Sequence, residues 1–334
     1  DDGAGGGGGA RVGNLLFCYL TFPWHLWRQR PAAVLVRTAP PGIQLWLSFW
    51  GALLGTKVVW WLMDYHPEIE ARMLEERSGV GRVLARVLRA ADRWTLDRTH
   101  GVIAIDEAMA EGIREKSSNL RVEVYSTWSP ETTLDLGSSV REAADKNTRT
   151  LTLLHLGNFG FAHDLAGLEG LIEAAPVDWN FRIIVVNPSE RGRTAFGRLA
   201  DGDRVVVEFH PKQPLEELGR WIADERIGWG LVTLDPRFGG TVSPSKFHTY
   251  LDLHLPLLYL GPPGTNAAHY CETYQVGITI PPQNPASALP TLQHLQTNPQ
   301  ARQAMLDRVA KAREAMHAYG PVGFCDLLED LLEV

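Results

Sequence analysis

Residues 151–164 read LTLLHLGNFGFAHD, and their pattern decides the architecture. Leu151 to Leu156 is an apolar run of strand length, followed by Gly157 and Gly160, with His163 and Asp164 where a helix should start. A strand, a glycine turn and a helix open a doubly wound α/β domain, in which ligands lie outside the carboxyl ends of the strands. The two glycines let the loop through Asn158 and Phe159 pass under a phosphate. The same letters also suit a plain strand-to-helix turn.

Outward from this stretch the alternation continues in both directions. Downstream, strands are predicted at 181–186, 204–209, 227–234 and 257–260, and helices at 165–175, 194–199, 214–223, 244–253 and 266–274. Two last helices are expected at 299–317 and 323–332. Upstream, helices are predicted at 14–28 (bent at Pro23), 43–54, 70–97 and 108–115, with strands at 32–38, 56–64, 101–105 and 121–125. Strands and helices of these lengths in alternation imply parallel sheets covered on both faces. The polar stretch 126–150, with Pro130, Gly137, Ser138 and Ser139, reads as a linker. The fold class expected is therefore α/β, two Rossmann-like domains facing a cleft, over 1–135 and 136–318, with a helix at 319–334 returning to the first. No strand precedes the helix at 14–28, so the first domain is expected to lack its opening strand, and the glycines of Asp1 to Ala10 read as loop.

Composition excludes several classes. Apolar residues make up 45% of the 334 and charged residues 21%, which is globular. A net charge of −7 argues against nucleic-acid binding, which needs a basic surface to release counterions. Cys18, Cys271 and Cys325 form no CxxC pair, which fits reduced thiols in a cytoplasm and leaves no zinc or disulfide framework. Residues 43–63 are long enough to suggest a membrane span, but Gly51, Gly55 and Lys57 interrupt them, and a helix, a turn and a buried strand explain the same letters. Trp24, Trp27, Trp46, Trp50, Trp60 and Trp61 crowd the first 61 positions. Tryptophan suits a surface that is apolar at one end and wet at the other, and it equally suits a large core.

Three further clusters carry chemistry. Ser243-Pro244-Ser245-Lys246 reads as a capped helix start, where free N–H groups, a partial positive charge and a lysine form a diphosphate seat. Gly239, Gly240 and Thr241 just before it permit close backbone approach to a ligand. Asp64, His66 and Glu68, at the end of the strand at 56–64, are candidates to take a proton from a hydroxyl. A plain helix cap and a strand-end cap are the simpler readings of these segments.

The order of these segments resembles family-four glycosyltransferases of the GT-B fold, in particular those that elongate bacterial surface polysaccharides. The resemblance rests on Thr38-Ala39-Pro40-Pro41 as TxPP, on Asp64, Pro67 and Glu68 as DxxPE, on Gly157, Asn158, Gly160 and Asp164 as GNxGxxxD, and on Pro244 to Lys246 as PSK. It implies an enzyme making a retaining, metal-independent transfer from a nucleotide diphosphate sugar to a saccharide or lipid-linked acceptor, with no cofactor. The donor would be held by Ser245, Lys246, Thr249 and the Gly157–Gly160 loop, with charge from Arg191 or Arg193 and the base near Phe209 and His210. Departures are that Thr241 and Thr249 stand where the family has an acidic pair, and Asn158 and His163 where it has Arg and Lys. A nucleotide-sugar epimerase and a non-catalytic binding protein are the competing readings. The apolar, arginine-flanked face of Leu15 to Arg30 suits a peripheral contact with the inner face of a membrane, or packing against the first domain's sheet.

Overall fold

The structure is a computed structural model that describes residues 7–38, 40, 42–77, 79–128 and 149–333, the side chains of 7–16, 18, 215 and 216 excepted. Ala39 and Pro41, the first six residues and most of the expected linker, 129–148, lie outside the described residues. By contacts the chain divides into two units, Asp1–Ser126 with Gly240–Val242 and Pro321–Val334, and Thr127–Gly239 with Ser243–Gly320.

The first unit runs α1 (Gly7–Gln29), β1 (Ala33–Arg37), α2 (Ile43–Leu54), β2 (Lys57–Leu62), α3 (Glu68–Glu75), α4 (Gly79–Leu96), β3 (Gly101–Ala104), α5 (Glu107–Arg114) and β4 (Val122–Val124). Its described strands form a parallel sheet in the order β1-β2-β3-β4. Gly42 and Gly55 bracket α2 with φ of 84° and 74°, which only glycine adopts without strain. Gly51 lets α2 lie against β2, since a Cβ there would fall 2.4 Å from Val58 Cγ2. The glycines that interrupt the apolar run at 43–63 are thus the residues of a tight helix-to-strand return. Trp60 sits fully buried in this core and donates to Ser48 Oγ at 2.9 Å, whereas Trp24 and Trp27 of α1 are exposed, so both uses of tryptophan occur.

The second unit runs β5 (Thr150–Leu156), α6 (Ala166–Ala174), β6 (Asn180–Val186), α7 (Glu190–Gly197), β7 (Val205–His210), α8 (Leu215–Asp224), β8 (Trp229–Thr233), α9 (Lys246–Asp252), β9 (Leu257–Leu260), α10 (Asn266–Thr273), β10 (Gly277–Ile280), α11 (Leu289–Thr297) and α12 (Pro299–His317). All its strands are parallel, in the order β10-β9-β8-β5-β6-β7. The core is built from β5, β6, β8 and β9 residues such as Leu153, Ile183, Leu231 and Leu258. The last helix, α13 (Pro321–Glu333), belongs to the first unit: Phe324 packs on Trp61 with ring centroids 4.5 Å apart, and Leu331 O lies 3.1 Å from His100 Nε2.

Several expectations need correction. The first helix starts at Gly7, so Gly7 to Ala10 are helix rather than loop. The stretch 70–97 is broken into α3 and α4 ahead of Gly79. The helix expected at 194–199 begins at Glu190, because Ser189 Oγ accepts from Gly192 N at 3.2 Å and caps it. Strand β10 and helix α11 were not anticipated.

Candidate functional site

The strand order of the second unit reverses direction between β5 and β8, which pair side by side at its centre. Chains leaving the carboxyl ends of two such strands diverge to opposite faces and leave a crevice, the usual ligand position of an open α/β sheet. The loop after β5 and the loop after β8 meet there. His163 Nδ1 lies 2.9 Å from Thr233 O and 3.0 Å from Thr233 Oγ1. Asp235 N donates to Ala162 O at 2.8 Å. Gly157 takes φ of 76° at the turn, with open space where a Cβ would stand.

Lys246 enters this crevice from α9. Its Nζ donates to Asn158 O at 2.6 Å and stands 3.1 Å from Nε2 of His155, which is fully buried on β5. One turn further along α9, the buried Tyr250 hydroxyl accepts from Leu156 N at 2.9 Å and reaches Leu231 O at 3.3 Å, tying the helix to β5 and β8 together. Burial lowers the Lys246 ammonium to about 8. Burial, with the Lys246 charge second, lowers His163 to about 4, and the same causes hold His155 well below the usual imidazole range. At neutral pH the Lys246 cation is therefore flanked by neutral imidazoles.

Beside it opens a cavity of about 570 Å³ lined by Phe159, His163, Asp164, Arg191, Thr194 and Arg198 among others. Phe159 stacks on His163 at 5.2 Å and is itself buried. Asp164 Oδ1 accepts from Leu165 N at 2.8 Å, fixing the loop's entry into α6. Asn158 and Gly160 are exposed on the loop. Phe209 and His210 of β7 form a separate group with Arg193 of α7: the guanidinium lies 5.2 Å from the Phe209 ring centroid, and His210 Nε2 is 3.3 Å from Glu208 Oε2.

The helix start is built differently from the sequence expectation. Helix α9 begins at Lys246 after Ser245, which makes no side-chain cap, and Ser243 Oγ is buried without a hydrogen-bond partner. The helix is 7 residues long, so charge and hydrogen bonds from Lys246, rather than a helix dipole, are what this turn supplies. Gly240 and Thr241 pack with the first unit: a Cβ on Gly240 (φ of 70°) would lie 2.9 Å from Ala108 O, and Thr241 O accepts from Tyr65 N at 2.7 Å. Gly239 passes close under Pro262, and Thr249 is half-buried within α9.

In the first unit the three acid–base candidates have separate environments. Asp64 is exposed at the end of β2, with its carboxyl raised by nearby protein mass against the opposing effect of His66. His66 Nδ1 is 2.5 Å from Glu70 Oε1, a pairing that holds the proton on Nδ1 and leaves the Nε2 lone pair as the basic one. Glu68 instead turns into a buried cluster, where Arg89 and Lys116 donate to it at 2.9 Å and Arg72 at 3.2 Å. Burial alone would raise this carboxyl, but those bonds bring it down to about 2. Glu68 is thereby occupied in holding α3 and α4 to the turn that follows α5. Glu70, His155, Thr233 and Tyr250 were not singled out in sequence; a histidine inside an apolar strand ahead of glycine was the one available signal. Among the described residues no three His, Cys, Asp or Glu side chains gather to hold a metal, and no helix is long and apolar enough to cross a membrane.

No sequence family and no curated protein matches the chain. Solved structures do. The chain is similar to Anabaena HepE in complex with UDP, with a TM-score of 0.62 at 10% identity over 97% of this chain and 84% of that one. It is similar to sucrose-phosphate synthase from Thermosynechococcus elongatus, with a TM-score of 0.60 at 13% identity over 95% and 77%. It is also similar to the pneumococcal O-GlcNAc transferase GtfA in complex with UDP and GlcNAc, with a TM-score of 0.54 at 12% identity over 93% and 59%. At these identities the likeness establishes the fold, two Rossmann-like units of the GT-B type.

Proposed function

We propose that this protein is a glycosyltransferase that draws its sugar from a nucleoside diphosphate donor held by the second unit. The observation that carries the reading is the Lys246 ammonium at the β5/β8 switch point, among neutral imidazoles and backed by Arg191 at the edge of the adjoining cavity. A diphosphate leaving group builds up charge as the sugar bond breaks, and a partly dehydrated cation stabilises that charge far more than one in water. The fold likeness to proteins solved with UDP supports the same class of donor. We assign the diphosphate to Lys246, His163 and the Gly157–Gly160 loop, and the nucleoside to the cavity between Phe159 and Arg198. Asp64, or His66 oriented by Glu70, would accept the proton of the attacking hydroxyl. Retention at the sugar, independence from metal and a saccharide or lipid-linked acceptor of the surface-polysaccharide kind complete the proposal.

A second reading has a specific observation behind it. Glu68 is spent on a structural cluster, and Thr241 and Thr249 replace the acidic pair of the family it resembles, which favours a protein that binds a nucleotide sugar without transferring it. A thermal-shift screen of UDP-, GDP-, ADP- and dTDP-sugars, followed by assay of nucleoside diphosphate release with an acceptor panel, separates the two. Stabilisation by one donor plus acceptor-dependent release supports transfer. Stabilisation without release selects the binding protein, and no stabilisation by any donor overturns both.

A further inference from the structure

Helix α4 carries an apolar stripe that its own unit does not cover. Val80, Val83, Leu84, Val87 and Trp94 recur at spacings of three, four and seven residues and are 70%, 55%, 48%, 59% and 42% exposed. The side of α4 turned to the core is a different one, formed by Gly81, Ala85, Asp92 and Leu96. A surface helix normally hides its one apolar stripe, so a helix with a buried face and a second, open apolar face has something else to bury it against.

The stripe continues onto two neighbouring helices. Trp94 lies 6.1 Å from Phe49 of α2, and Phe49 stacks on Trp46 at 6.3 Å. Trp46 Nε1 in turn donates to Tyr19 O of α1 at 2.8 Å. Beyond these contacts Leu53 of α2 and Phe17, Leu20, Trp24 and Trp27 of α1 are all exposed. Charge runs with the stripe. Residues 77–98 hold six arginines against two aspartates in a protein of net charge −7. Asp92 is buried against Lys116 and Arg89 is spent on Glu68 and Glu75, so the outward charge is that of the other five arginines, all exposed, against the exposed Asp97. Arg82, Arg86 and Arg93 lie exposed on the adjoining face and form no ion pair among the described residues. Arg98 sits over the Trp94 ring at 3.8 Å.

We propose that α4, flanked by α1 and α2, seats the first unit on the surface of a bilayer containing anionic phospholipid. Apolar side chains with tryptophan enter the headgroup boundary, while arginine stems lie along it and present guanidinium groups to lipid phosphates. The excess of arginine decides for an anionic membrane over an uncharged protein surface, and the absence of any spanning helix among the described residues makes the contact interfacial. This inference does not depend on the donor assignment.

The test is co-sedimentation of the whole chain with vesicles of phosphatidylcholine alone and of phosphatidylcholine with phosphatidylglycerol. Wild type should pellet with the anionic vesicles and much less with the neutral ones. The double variant Val83→Glu/Val87→Glu, at two exposed positions, should bind about tenfold more weakly or worse. The triple variant Arg82→Glu/Arg86→Glu/Arg93→Glu should lose roughly fivefold or more per arginine. An unchanged thermal midpoint keeps loss of folding apart from loss of docking. Wild type remaining in the supernatant with every vesicle overturns the proposal, as does equal pelleting of the double variant. So does a dimer that the double variant converts to monomer without any vesicle binding.

Discussion

Lys246 Nζ donates to Asn158 O at 2.6 Å across 88 residues of chain, so a cation from α9 is pinned to the glycine loop after β5. Its other neighbour is the imidazole of His155, and it forms no ion pair among the described residues. An ammonium whose nearest partners are neutral retains its charge for an anion that arrives from solvent.

Replacing that group isolates its contribution. Lys246→Ala should weaken binding of a nucleoside diphosphate by about 10- to 100-fold, the range of one or two charge-assisted hydrogen bonds. Isothermal calorimetry with UDP and GDP measures it, and equal affinity in the variant would remove Lys246 from the donor site.

The same lysine sets a pH profile. Below about 8 it is protonated in the free protein, so affinity for a diphosphate should be level down to about pH 7, under which the terminal phosphate itself begins to take up a proton. Above about 8 the free protein loses the charge, and affinity should fall by up to about tenfold per pH unit. Because the anion restores the ammonium, binding near pH 8.5 should take up a proton, visible as a buffer-dependent calorimetric heat.

Acid should unfold the second unit through its histidines. His163 and His248 are lowered to about 4 by burial, and burial also holds His155 well below the usual imidazole range. An imidazole whose folded value lies below its unfolded 6.5 leaves the unfolded chain binding more protons between the two. Stability therefore falls as pH drops from 6.5 toward 4, by up to about 1.4 kcal/mol per unit and histidine. The thermal midpoint should decline through that window and less steeply in His163→Gln.

The buried cluster of the first unit predicts a large mutational cost. Lys116 serves Glu68 Oε2 at 2.9 Å, Asp92 Oδ2 at 3.1 Å and the Tyr65 hydroxyl at 3.0 Å. Lys116→Met leaves Asp92 buried without a cation and should destabilise the protein by about 3 kcal/mol or more, read from urea unfolding. Lys116→Arg should recover only part of it, since the larger planar group does not fit the position of the ammonium.

Gly230 offers a packing test. A Cβ there would stand 2.3 Å from Tyr250 Cγ, and Tyr250 is the residue that satisfies Leu156 N. Gly230→Ala should cost roughly 1–3 kcal/mol or more and displace the start of the glycine loop, seen as a lower melting temperature together with weaker nucleotide binding.

The elements legible in sequence were those whose signal is local. Leu151 to Leu156 followed by Gly157 announced both the strand and its turn, because an apolar run and a glycine with positive φ are properties of adjacent residues. Lys246 stood out in the sequence as a candidate phosphate partner, but its mode of presentation was not legible. Ser-Pro resembles a helix start, yet α9 waits until Lys246, and the Ser243 Oγ ends buried. Glu68 looked like a free carboxylate because its partners Arg89 and Lys116 come 21 and 48 residues later. The four-residue β10 was missed because Gly277 to Ile280 shows too few letters for a period; its existence depends on pairing with β9. The switch point could not be read at all, since strand order is a property of the assembled sheet.

The return of α13 to the first unit sets a timetable for synthesis. Lys57 Nζ holds Leu332 O, and Arg121 reaches Asp330 O at 2.8 Å, so strands made early are completed by residues made much later. Between β4 and α13 the ribosome must add about 200 residues, which takes roughly 10 to 40 seconds. Through that interval Trp61 and Tyr125 lack the Phe324 ring that covers them in the finished fold, and a nascent chain stalled before Pro321 would offer that uncovered aromatic surface to chaperones.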